Sequence, residues 1–282
     1  MKITGSTALY FIVGDPVAQV RAPEVFNRVF EPNGIDAVLV PVRVAPAQLE
    51  AFVRAALSSP TVMGFFVAIP HKAPLLRLAE HATRAAQVAG ATNAVRRSMN
   101  GGIEADLLDG EGFLRALNYF SIEAKNKRIL IVGAGGGACA IGTSLAGAGV
   151  ESIDFFDTVR SKAEIAAGLL RQHFNAKARA IPSPDPAAYD LVVNASPLGL
   201  KADDPLPLPV ERLQQGSALV DINMTPRPTR LVQLARERGI RAFPGYEMLV
   251  QQVPLYLRFF GYEELAGRME QDLSEVRKGL DP

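Results

Sequence analysis

The chain alternates between two hydrophobic rhythms. Short apolar runs, LYFIVG, DAVLVPVRV and VMGFFVAIP, read as buried strands, and the spacing between them predicts helices over Pro23–Phe30 and Pro46–Leu57. A longer helix is expected from Lys72 through about Val88. It is followed by GATNAVRR, a Gly-Gly turn, and IEADLLDGEGFLRAL, where a strand passes into a helix. Alternation of this kind implies a mostly parallel sheet with crossover helices. The second half repeats the scheme with KRILIVG, GVESIDFFD, the helix KAEIAAGLLRQHF, and strands at LVVNAS and ALVDIN. Two apolar-periodic helices close the chain, EMLVQQVPLYLRFF and ELAGRMEQDLSEVRK, the first of which is expected to pack back on the first domain.

One stretch carries more than periodicity. Ile129, Leu130, Ile131 and Val132 form an apolar run suited to a strand buried on both faces, and it stops abruptly at glycines. Gly133 lets the chain turn out of the strand, Gly135 leaves room for a pyrophosphate, and Ala138 permits close helix packing. With Gly136 and Gly137 they open a helix whose free N–H groups suit phosphate. The next apolar run ends in Asp157, about twenty residues on, where an acid can accept both ribose hydroxyls of NAD and would repel a 2′-phosphate. NAD is therefore expected over NADP. Asn194, Ser196 and Asn223, at the ends of later strands, are candidates for the nicotinamide side or ordinary turn residues.

Composition narrows the class. With 30 basic and 29 acidic residues in 282, the balance argues against a nucleic-acid partner and for a small-molecule ligand. The N-terminus has neither a cleavage-site pattern nor a membrane-spanning length, so no membrane association and a cytoplasmic location are expected. Three scattered histidines, His71, His81 and His173, lack metal-ligand spacing, so no metal is expected. The single cysteine, Cys139, reads as a small buried filler.

Eight motifs in order then resemble the shikimate/quinate dehydrogenase family across nearly the whole chain. They are GDPVAQVRAPEVFN, VAIPHK, GATNAV, GGIEADLLDG, VGAGGG, NASPLGL, DINMTPRPTRL and GYEMLVQQ. The resemblance implies an α/β substrate-binding domain over 1–109, a Rossmann domain over 110–242, C-terminal helices over 243–282, and a cleft where a hydroaromatic alcohol meets the nicotinamide. It implies that Lys72 and Asp106 flank the reacting hydroxyl, an arrangement suited to taking up the hydroxyl proton. It further implies that Asn93 and Gln252 bind substrate and that Gly245 belongs to the coenzyme side. A monomer or homodimer is expected.

The departures bear on substrate. Where the family carries two serines that grip a carboxylate, this chain has Val20 and Ala22, and its Asn-Val-Thr is Phe66, Val67 and Ala68. Asn-Thr before the Asp is Glu104 and Ala105, and the Tyr of a later motif is Met224. Phe66 and Met224 are expected to make the pocket more apolar. Arg21 either replaces the serines or lies at the surface. The expected activity is hydride transfer between a shikimate- or quinate-like alcohol with an altered recognition group and NAD. The alternative is an NAD-binding sensor with little turnover.

Overall fold

The computed structural model describes residues 2–225 and 227–278. Within it the chain forms two compact units, one made of the residues up to Leu108 together with the tail from Leu249, the other of Asp109–Met248.

The first unit is built on a six-stranded sheet of β1 (Ala8–Gly14), β2 (Ala37–Arg43), β3 (Val62–Val67), β4 (His81–Ala82), β5 (Ala94–Arg97) and β6 (Ile103–Asp106). Their order is β2-β1-β3-β5-β6-β4. The sheet is mixed: β1 is parallel to β2 and β3, and β6 to β4, but β5 is antiparallel to both neighbours. The short loop joining β5 to β6 allows only the antiparallel return, because a parallel pair needs a crossover of a dozen or more residues.

Side chains alternate across this sheet with period two. Phe11, Val13, Phe65 and Val67 face an aliphatic layer with Leu49, Val53 and Leu57 of α2 (Leu49–Ser58). Tyr10 and Phe66 belong to an aromatic cluster with Phe26 and Phe30 of α1 (Ala22–Phe30). The helix expected from Lys72 to Val88 is instead two, α3 (Lys72–Leu76) and α4 (Arg84–Ala89), with β4 between them. Pairing of His81 and Ala82 with Glu104 and Ala105 of β6 draws that segment into the sheet. Thr83 then restarts the helix, its hydroxyl accepting from the Ala86 N–H at 3.4 Å.

The second unit opens with α5 (Asp109–Tyr119) and holds a sheet of β7 (Arg128–Val132), β8 (Ser152–Phe156), β9 (Ala178–Ala180), β10 (Leu191–Asn194), β11 (Ala218–Asp221) and β12 (Arg241–Pro244). The order is β12-β11-β10-β7-β8-β9, and each neighbouring pair of these strands is parallel. Ile129 and Ile131 pack toward α6 (Gly136–Gly147) and α7 (Arg160–Phe174), whereas Leu130 and Val132 pack toward Leu231 and Val232 of α8 (Arg230–Glu237). Burial on both faces explains the unbroken apolar run. The order reverses beside β7, so the chain's glycine turn lies at a switch point, where open parallel sheets bind ligands.

The tail forms α9 (Tyr246–Phe259), α10 (Glu263–Gln271) and α11 (Ser274–Lys278). Tyr256 stacks on Phe66 at 4.1 Å and 19°, and Phe260 lies 4.6 Å from the Tyr10 ring, so the tail completes the first unit's aromatic core. No helix among the described residues is long and apolar enough to cross a membrane.

Candidate active site

In the first unit, Lys72 and Asp106 are far apart in sequence and joined through one short segment. The N–H of Thr92 donates to the Lys72 carbonyl at 3.0 Å, while the Thr92 hydroxyl donates to the Asp106 carbonyl at 2.7 Å. The Asn93 N–H donates to that same Asp106 carbonyl at 3.0 Å. Thr92 is fully buried, so its bonds are shielded from competing water. Lys72 and Asp106 are half-buried, each at the end of an element: the start of α3 and the end of β6. The register across three strands, Phe66 to Ala94 to Asp106, places the end of β3 in line with them.

Asn93 is buried and its Oδ1 accepts from the Leu108 N–H at 2.8 Å. Its carbonyl accepts from the Val67 N–H and from the Tyr256 hydroxyl at 3.0 Å. Gln252, 3% exposed, lies four residues before Tyr256 on α9 and so shares its face. Arg21 stands just before α1 and pairs with Glu24 at 2.8 Å, which offsets its charge locally. Phe66 does not line open space. It is 1% exposed, stacked on Tyr256 and edge-on to Phe26, part of the aromatic packing that holds Tyr256 against Asn93.

In the second unit, Gly133 has a φ of +101°, and a Cβ there would fall 2.6 Å from the Ala195 carbonyl oxygen. Gly245 faces the Ile222 backbone, which a Cβ would meet at 2.4 Å. These two are required by close backbone packing. Gly135 differs: a Cβ on it would meet nothing within 4 Å, leaving the approach to the first turn of α6 open. Gly136 and Gly137 form that turn, with the Gly137 Cβ position 3.6 Å from Ile222 Cδ1. An unobstructed helix start behind a glycine turn fits a dinucleotide pyrophosphate. Cys139 lies in the same helix, where burial pushes its thiol up to about 11, so it carries no thiolate at neutral pH.

Asn194, Ser196 and Asn223 form an internal network. Asn194, wholly buried, donates through Nδ2 to the Leu198 carbonyl and to Asp221 Oδ1, both at 3.0 Å. Its Oδ1 accepts from the Ser196 N–H at 3.1 Å and hydroxyl at 2.6 Å. Asn223 donates to the carbonyls of Ser196 and Leu198. The side chains of Asn194 and Ser196, expected on the coenzyme side, also shape the 194–199 loop through these bonds.

Asp221 anchors that network, fully buried, and accepts from Asn194, from the Asn223 N–H at 3.1 Å and from the Thr229 hydroxyl at 2.6 Å. Burial raises its pKa from the ordinary 3.8 to about 6, against the pull of these donors. The folded state thus holds this proton more tightly than the unfolded chain. The contribution of this group to stability is fullest below about pH 4 and is lost, by on the order of 3 kcal/mol, as pH rises through about 6. Asp221→Asn is expected to flatten that part of the stability curve, as measured by denaturant unfolding at acid and neutral pH. Equal slopes in the two proteins would refute it.

The family model described as the shikimate dehydrogenase substrate binding domain matches residues 12–95. A shikimate dehydrogenase (NADP(+)) from Rubrobacter xylanophilus is 34% identical, covering 97% of this chain and 98% of its own. The chain belongs to the shikimate dehydrogenase family. As a shikimate dehydrogenase family member it is an oxidoreductase, and the expected pairing of an α/β substrate domain with a Rossmann domain is borne out. Shikimate dehydrogenase from Aquifex aeolicus superposes with a TM-score of 0.84 at 27% identity, covering 96% of this chain and 100% of that one. The ligand-free 5-ketofructose reductase of Gluconobacter sp. strain CHM43 does so at 0.82 and 26%, covering 94% and 98%.

These relatives overturn one expectation. The curated shikimate dehydrogenases are named for NADP(+), so the preference for NAD read from Asp157 does not stand. The geometry supplies a reason. Asp157 Oδ2 accepts from the Ala134 N–H at 2.9 Å and Oδ1 from the Val159 N–H at 2.8 Å. Both oxygens accept from the chain's own backbone, so the residue braces the glycine turn whichever coenzyme binds, and an acid at this position does not by itself select NAD. Sequence reading also passed over Thr92 and Thr83, whose hydroxyls hold Asp106. Thr92 sits inside the GATNAV motif, and Thr83 carries the signal of a residue preceding a helix.

Proposed function

We propose that this protein interconverts a secondary alcohol and its ketone on a shikimate- or quinate-like ring, with NADP(H) as coenzyme, and that its substrate is gripped otherwise than through a serine-bound carboxylate. The observation that carries the reading is the joining of Lys72 and Asp106 through Thr92 by buried hydrogen bonds. Two groups of opposite charge type fixed to one short segment suit a substrate hydroxyl whose proton must leave as hydride departs from the same carbon. Lys72 and Asp106 between them take up that proton, and a lysine cation stabilises the alkoxide that develops. Asn93 and Gln252 orient the ring. Gly135, Gly136 and Gly137 hold the pyrophosphate at the start of α6, and a bound nicotinamide supplies the hydride acceptor.

Val20, Ala22 and Ala68 support the altered grip, since each stands where the family pattern has a hydroxyl. Hydrogen bonds to a charged group are worth roughly 1.5–3 kcal/mol each, so two lost serines cost about 3–6 kcal/mol of carboxylate binding, around a hundred- to ten-thousandfold. The test is a turnover panel with NADP(H) and NAD(H) against shikimate, quinate, uncharged cyclic polyols and 5-ketofructose. Uncharged substrates should exceed shikimate in kcat/KM, and NADP should bind more tightly than NAD. Shikimate as the best substrate would remove the altered grip; silence across the panel would remove the dehydrogenase reading.

A further inference from the structure

Asp106 is held at more points than its place at a strand end requires. Its carbonyl is bound twice, by Thr92 and Asn93, and its side chain is bound twice on one oxygen only. The Leu107 N–H donates to Oδ1 at 2.7 Å, and the Thr83 hydroxyl donates to the same Oδ1 at 2.5 Å. No described residue donates to Oδ2. A carboxylate with both donors on one oxygen has its rotation stopped and its other oxygen committed to a single direction.

Thr83 is itself fixed. Its N–H donates to the Ala105 carbonyl at 3.1 Å, beside Asp106 on β6, so the hydroxyl is carried by the sheet. The same oxygen accepts from the Ala86 N–H as the cap of α4, which orients its one proton away from the helix and toward Asp106. The break between α3 and α4 therefore has a use beyond topology: a continuous helix would carry Thr83 away from the strand.

We propose that Thr83 is a positioning residue for the reaction, clamping Asp106 through Oδ1 so that Oδ2 is the oxygen presented to the substrate hydroxyl. The assignment rests on the dehydrogenase reading above. It differs from a purely structural cap because the bond to Asp106 acts on the charged form of a reacting group. Removing that donor frees the carboxylate to rotate, whereas removing a cap does not.

Thr83→Val and Thr83→Ser separate the two. Thr83→Val should lower kcat about ten- to a hundredfold with KM within about twofold, while Thr83→Ser restores kcat. A Thr83→Val protein with wild-type kcat and only a lower Tm would show that the residue is a cap and overturn the proposal. A crystal structure of Thr83→Val reads the clamp without turnover. An Asp106 carboxylate turned away from its wild-type orientation supports it, and an unmoved one overturns it even if the wild type proves inactive on every substrate tried.

Discussion

Lys72→Ala lowers kcat by about a hundred- to ten-thousandfold, the range that a positioned acid or base contributes, and leaves the fold intact. The second half of that expectation follows from position. Lys72 is half-buried at the first residue of α3, and the bond its segment makes to Thr92 runs through its backbone carbonyl, which alanine retains. Asp106→Asn should fall in the same range, with Oδ1 still able to accept from Thr83 and Leu107. The double variant should be little worse than either alone, because residues acting on one proton are not additive. Steady-state kinetics with circular dichroism as the folding control decide the matter. Activity that survives Lys72→Ala unchanged would take the residue out of the mechanism.

Gly133→Val is expected to damage the second unit itself. A β-branched residue at a φ of +101° is strained, and its Cβ would sit 2.6 Å from the Ala195 carbonyl oxygen and 2.7 Å from the carbon. The neighbour is backbone of the loop that Asn194 and Asn223 hold in place, so it has nowhere to move. A loss of about 3 kcal/mol or more follows, or roughly 10 °C in Tm for a unit of this size, together with lost coenzyme binding. Gly135→Ala is the matched contrast: with no atom within 4 Å of its Cβ it should melt like the wild type. A Gly133→Val protein as stable as the wild type would contradict this account of the turn.

The elements readable from sequence were those in which local pattern and tertiary environment agree. Strand β7 announces itself because a parallel strand covered on both faces must be apolar throughout, and α1 because Val25, Phe26, Val29 and Phe30 recur at helical spacing. The region after Lys72 misled because its apolar spacing continues through Leu78 and Val88, while the break is imposed by pairing with β6, a partner more than twenty residues away. Asp157 misled for a related reason. An acid after the second strand of such a sheet can serve a ribose, the chain's own amides or both, and residue type does not disclose that Ala134 and Val159 already donate to it. Asn194 and Ser196 stand at a strand end where ligands bind, but residue type alone does not disclose that their polar atoms are already used by Leu198 and Asp221. Family membership, by contrast, was legible because it rests on motif order, which burial does not alter.

The discontinuity of the first unit orders its assembly. Tyr256 and Phe260, which finish the aromatic layer around Tyr10 and Phe66, leave the ribosome only after every strand of the second sheet has been made. The parallel sheet, complete in one contiguous stretch, is free to form during synthesis. The lobe carrying Lys72 and Asp106 must wait, its half-built ring cluster unsealed, for the last helices to arrive. Nascent chains stalled before α9 should therefore protect the second unit from protease and leave the first one open to it.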